Sequence, residues 1–188
     1  MQPIEKALKT VFDFIGNNYK LPQGEFLNDE FSKIDKFRNP YWGQAPKKVK
    51  FAFGTQKELN IWLKNTTEKY PLIWLVYPLK ETFTNDASDV YSYQNCRLIF
   101  VVDNQIDKLV ETRVQTTRFI LDQLINAFSD LMRVSKFRKY LYIDKNKNIE
   151  QIFYPNYSTN KQKDNRSIDI WDAITYDCTL HFIPNCFK

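Results

Sequence analysis

The sequence predicts an α+β domain, a largely antiparallel β-sheet covered on one face by an N-terminal helix and a long central helix. Three observations carry that prediction. Apolar residues recur at helical spacing in two stretches, near the N-terminus and between about residues 107 and 134. Apolar or alternating runs of strand length lie between them, bounded by polar turns. The resulting order, helix, strand, helix, strand, strand, long helix, hairpin, strand, has strands in succession next to two core helices, which favours a segregated α+β arrangement. At 188 residues the chain suits one domain spanning 1–188, with long loops at about 19–48 and 158–166.

The elements follow in order. Ile4, Leu8, Val11, Phe12 and Ile15 form one helical stripe, with Pro3 suited to the first turn and Gly16 to the position after the last. Residues 19–48 mix Pro22, Gly24, Pro40, Gly43 and Pro46 with Phe26, Phe31, Phe37, Tyr41 and Trp42 and show no sustained period. So long a segment without structure of its own is more often a docking element than a passive connector. Val49, Phe51 and Phe53 alternate with Lys50 and Ala52, a half-buried strand that ends at Gly54. Thr55 and Glu58 then form a capping box for a helix whose buried stripe is Leu59, Trp62 and Leu63.

Leu72 to Tyr77 is continuously apolar and ends at Pro78, which predicts a strand covered on both faces in the middle of the sheet. After a polar loop around Asn85 to Asp89, Tyr91 to Asp103 places Leu98, Phe100 and Val102 on one face and Arg97, Ile99 and Val101 on the other. A long helix from about Asp107 to Val134 carries Val114, Leu121, Leu124, Ile125, Phe128, Leu131 and Met132 toward the sheet. Leu141–Ile143 and Ile149–Phe153 flank the turn sequence Asp144–Asn148 and predict a hairpin, and Ile168–Ile183 predicts a long last strand.

Composition narrows the function classes. With 43% hydrophobic and 16% aromatic residues at a net charge of +5, the chain is too apolar for a disordered segment. Four glycines leave no glycine-rich phosphate loop. Cys96, Cys178 and Cys186 are an odd set without CxxC spacing and follow no basic-then-apolar leader, which predicts synthesis in a reducing cytosol. Apolar runs fall well short of the roughly 20 residues of a membrane helix.

Candidate chemistry is sparse. His181, the one histidine, reads as structural, since a lone histidine builds no histidine-rich zinc site, and Cys178 has the opposite strand parity, so the two side chains should point to opposite faces. Asp144, Asn146 and Asn148 begin like an EF-hand, but Ile149 stands where the loop needs Gly and Pro155 where it needs Glu, which leaves a turn. Asp169, Asp172 and Asp177 show no spacing that distinguishes a magnesium-nuclease cluster from surface charge. The 27 basic residues against 22 acidic ones are spread along the chain without a nucleic-acid motif. No catalytic residue, metal site or cofactor is predicted.

Four phrases, "YPLIWLVYP" at Tyr70–Pro78, "NCRLIFVVDN", "TRFILDQLINAFSDLM" and "IWDAITYDCTLHF", together with the N-terminal amphipathic helix, resemble tail terminator and tail completion proteins of tailed bacteriophages. The Lys-, Asn- and Tyr-rich style is similar to neck ring proteins of crAss-like phages. This resemblance implies a tail-terminator-like fold and a non-enzymatic virion protein, assembled in the host cytoplasm as a homo-oligomeric ring in the head-to-tail connector. It also implies neighbouring neck, portal-side or tail proteins as partners, with genomic DNA nearby. Phe31, Phe37, Tyr41 and Trp42 are then candidate subunit or partner contacts, since aromatic anchors dominate interface energetics. Lys161, Lys163 and Arg166 are candidate contacts to phosphate or to an acidic partner. A nucleic-acid-binding accessory protein is the alternative, and an unrecognised enzyme the third reading.

Overall fold

A computed structural model describes residues 3–20, 25–26, 49–65, 71–84, 89–104, 117–134, 136–155, 157 and 170–187. The elements are α1 (Pro3–Asn18), β1 (Tyr19–Lys20), β2 (Glu25–Phe26), β3 (Lys50–Gly54), α2 (Gln56–Asn65), β4 (Leu72–Val76), β5 (Lys80–Thr84), β6 (Val90–Asn104), α3 (Phe119–Val134), β7 (Leu141–Ile143), β8 (Glu150–Tyr154) and β9 (Ile170–Phe182). Short 3-10 turns cover Lys136–Lys139 and Pro184–Cys186. The main sheet has seven strands and is antiparallel except for β3 against β4, so the predicted fold class holds.

Two long strands form the spine. β6 and β9 pair antiparallel from Tyr91↔Phe182 to Asn104↔Ile170, with a bulge between Tyr93 and Cys96 at which Asn95 adopts a φ of 52°. Asn tolerates this left-handed conformation better than most residues. Along the outer side of β6 run β4 and then β5, end to end, and along the outer side of β9 run β8 and β7 in the same manner. β3 completes the edge beyond β4.

One face of the sheet carries the larger core. Ile4, Ala7, Leu8, Val11, Phe12 and Ile15 of α1 and Leu121, Leu124, Ile125, Phe128 and Met132 of α3 close over Ile73, Leu75, Leu98, Phe100, Ile174, Tyr176 and Leu180. Phe12 is its hub, with ring centroids 5.4 Å from Phe51, 6.1 Å from Phe100 and 5.1 Å from Phe128. On the opposite face, among the described residues, Leu59 and Leu63 of α2 meet Leu72, Trp74, Ile99, Val101, Trp171 and Ala173 toward the β3–β4 end. The capping box forms as predicted: the Thr55 N–H donates to Glu58 Oε2 at 2.7 Å and the Glu58 N–H to Thr55 Oγ1 at 3.3 Å.

Several expectations need correction. α1 continues past Gly16 to Asn18, because that glycine serves a close approach: a Cβ there would stand 3.2 Å from the Val49 backbone nitrogen. β4 is interior but lies one strand in from the β3 edge, so its continuous apolarity reports cover on both faces and not central position. β7 and β8 do not pair as a hairpin. Both face β9, which is long enough to take them in succession, and residues 144–149 bulge outward between them. Asp144 and Asn146 do make a turn, with the Asn146 N–H bonded to Asp144 Oδ1 at 2.9 Å, but the chain resumes its direction afterwards.

β5 was not predicted at all, since its five residues are all exposed and carry no burial pattern. The 19–48 loop opens with the small β1–β2 ladder. The remainder of that loop, the 158–166 loop, and residues 107–116 of the long helix, including Val114, lie outside the described residues.

Candidate functional site

Beyond α2, the sheet face on which it packs carries, among the described residues, a row of polar side chains. Arg97 of β6 and Asp177 of β9 stand opposite each other and form a two-pronged pair, Nε to Oδ1 at 2.7 Å and Nη2 to Oδ2 at 2.6 Å. The bond to Asp177 raises the guanidinium pKa against the cost of partial burial. Further along, Ser92 Oγ lies 2.8 Å from His181 Nδ1, and His181 Nε2 lies 3.3 Å from Asp144 Oδ2. Tyr142 of β7 stacks on the imidazole at 4.9 Å and 24°, holding the ring against the sheet.

This row has the composition of a nucleophile, a base and an orienting acid. Its setting differs from a working hydrolase site. Ser92 occupies a regular strand position with register partners on both sides, Thr82 of β5 and His181 of β9. Its own peptide groups belong to the ladder, whereas acyl transfer needs N–H donors free to face a developing oxyanion. What the row does supply is cross-strand polar bonding among β6, β9 and the start of the 144–149 bulge. Asp144 is held below the usual carboxylate range, first by the Asn146 N–H and then, against a cost of burial, by His181.

Other sequence-level candidates separate. Asp172 is buried on the helix-covered face, where its carboxylate accepts a 2.5 Å bond from Thr117 Oγ1 just ahead of α3, while Asp177 faces the other way into Arg97. The two do not converge, and Asp169 lies outside the described residues. No group of three potential metal-ligating side chains occurs among the described residues. Cys178 and His181 do point to opposite faces, as the strand parity predicts. Cys178 meets Cys96 directly across the ladder, and the bond between the thiols together with burial pushes the Cys178 thiol up, away from nucleophilic reactivity. Phe31, Phe37, Tyr41 and Trp42, like Lys161, Lys163 and Arg166, lie outside the described residues.

Two surfaces that sequence reading missed complete the description. The first is the β5–β6 ribbon. Lys80, Glu81, Thr82, Phe83 and Thr84 are all exposed, and Phe83 keeps 45% of its surface in water. Two side-chain contacts hold it: the buried Tyr93 phenol bonds to Glu81, desolvation followed by that bond holding the phenol pKa up, and the Phe83 ring lies 4.7 Å from that of Tyr91. The second is a cleft of about 280 Å³ between the end of α3 and the 144–149 bulge, lined by Ser129, Met132, Arg133, Ile143, Lys145, Ile149 and Tyr176. A smaller hollow of about 170 Å³ adjoins it and adds Arg138 to the rim. No helix among the described residues is long and apolar enough to cross a membrane. No protein-family model matches the chain, and no curated protein sequence does either.

Proposed function

We propose that this chain is a virion structural protein, one subunit of a homo-oligomeric ring in the head-to-tail connector or tail-terminator position of a tailed bacteriophage. The observation that carries this reading is β5. All five residues of this strand are exposed, and it is held to β6 by ladder bonds, the Glu81–Tyr93 bond and the ring contact of Phe83 with Tyr91. Ordering it costs backbone entropy of roughly 1–2 kcal/mol per residue. A second surface that covers it offsets that cost. The four phrases that resemble tail terminator and neck ring proteins fall on β4, β6, nearly all of α3 and β9, the elements that build the sheet and its long cover. In this reading the Ser92–His181–Asp144 row locks strands together, and the protein is not an enzyme. Its neighbours are neck, portal-side or tail proteins, with packaged DNA close by.

Deleting the chain's gene from its phage tests the assignment. Heads and tails should accumulate unjoined, and purified protein added to the extract should restore joining. Infectious particles assembled without the chain would end the reading.

One observation favours the alternative of a nucleic-acid accessory protein. Between residues 133 and 147 the chain places Arg133, Lys136, Arg138, Lys139, Lys145 and Lys147 against one acid, Asp144. If that stretch binds phosphate, DNA affinity must fall steeply with added salt through counterion release. A flat salt response removes the alternative.

A further inference from the structure

The ribbon and the cleft lie on opposite lateral sides of the sheet, β5 beyond β6 and the cleft at the β7–β8 edge beyond β9. They also oppose each other in charge. Among the described residues the ribbon and its end carry Glu81, which is bonded to Tyr93, and Asp89 against Lys80, whereas 133–147 carry six cations against one acid, which is bonded to His181. Arg133 and Lys145, on the cleft rim, form no ion pair among the described residues, and the Arg138 guanidinium caps α3 by donating to the Arg133 carbonyl at 3.1 Å. The floor is apolar. Met132 and Tyr176 are buried beneath it, and Ile149 at its rim is 40% exposed. At about 280 Å³ the cleft sits below the roughly 300–1,000 Å³ of sites that enclose whole small molecules, so it suits a side chain better than a cofactor.

Resting on the ring reading above, we infer that the β5–β6 ribbon of one copy seats in the basic cleft of the next copy, with Phe83 as the anchor against Met132, Ile143 and Ile149. The contact joins two different surfaces on opposite sides of the subunit. Repeated around an axis, such a heterologous contact gives a ring when its rotation closes and an open filament when it does not. Its apolar centre and charged surround follow the usual anatomy of a protein interface, and an apolar floor favours a peptide occupant over a nucleic-acid backbone.

Crosslinking tests the inference. Phe83→Cys and Ile149→Cys are introduced into separate chains, both in a Cys186→Ser background that removes the exposed native thiol. Mixed and oxidised, the two variants should give a heterodimer well above either homodimer. Phe83→Asp should weaken self-association by at least about tenfold, as expected for loss of an anchor residue, while the thermal melt of the subunit stays unchanged. If the wild type self-associates yet the mixed variants show no preferred heterodimer, the contact is wrong and the ring reading survives. If the wild type remains monomeric up to about 1 mM and phage assembly does not need it, both fall. DNA binding in the cleft, with self-association indifferent to Phe83→Asp, also overturns the contact.

Discussion

The two faces of this sheet were built for different purposes. Under α1 and α3 the surface is closed and mostly apolar, with Phe12 and Tyr176 each in ring contact with Phe100 and Phe128. On the other face α2 covers one end, and beyond it the strands carry Arg97, Asp177, Ser92 and His181, which bond to one another across the ladder. The difference is one of energy scale. Closing a core side chain contributes roughly 1.5–3 kcal/mol, whereas an exposed ion pair contributes about 0–1 kcal/mol. The closed face therefore supplies most of the stability.

Substitutions on each side put that contrast at risk. Leu124→Asp should have the largest effect, since it places an unpaired carboxylate in the closed core and exceeds the roughly 2–5 kcal/mol of a Leu→Ala change there; an unaltered melting curve would mean the α3 phase is wrong. Leu59→Ala, under α2 in the smaller cluster, should cost about 2 kcal/mol by urea unfolding. A larger loss would show the two faces to be energetically alike.

Thr55→Ala should cost about 1 kcal/mol through the α2 cap, and an unchanged urea midpoint would show that the box contributes nothing. The Asp144 carboxyl has a lowered pKa, so its contribution is present above the ordinary carboxylate range and is lost as pH falls through the folded value. Asp144→Asn should accordingly reduce the fall in stability on acidification; urea midpoints that decline in parallel for both proteins would remove the row from the stability of the open face. Phe83→Ser should change stability by no more than about 0.5 kcal/mol, and a substantial loss would make the ribbon part of the fold rather than a contact.

Legibility followed the range of the interactions. The period of the stripe in α1, the alternation in β6 and β9, and the Thr55–Glu58 box are local patterns, and each appears in the structure where the residues predict it. β5 has no such pattern because all five of its residues are exposed. Asp144 and Asn146 chose a turn correctly, but whether a turn reverses the chain depends on what lies alongside. Here β9 offered one continuous edge to both β7 and β8, and the hairpin gave way to an interrupted edge strand.

The same distinction governs the polar row. Strand parity alone assigned His181 and Cys178 to opposite faces. That His181 lies between Ser92 and Asp144 was decided by register, β6 on one side and the 144–149 bulge on the other. The residue order thus determined which segments are helices and strands and which side of each is apolar, because those properties depend on neighbours a few positions away. Tertiary pairing alone decided which strands share an edge, which polar groups meet and which surfaces remain uncovered, because such contacts join residues that no local period connects.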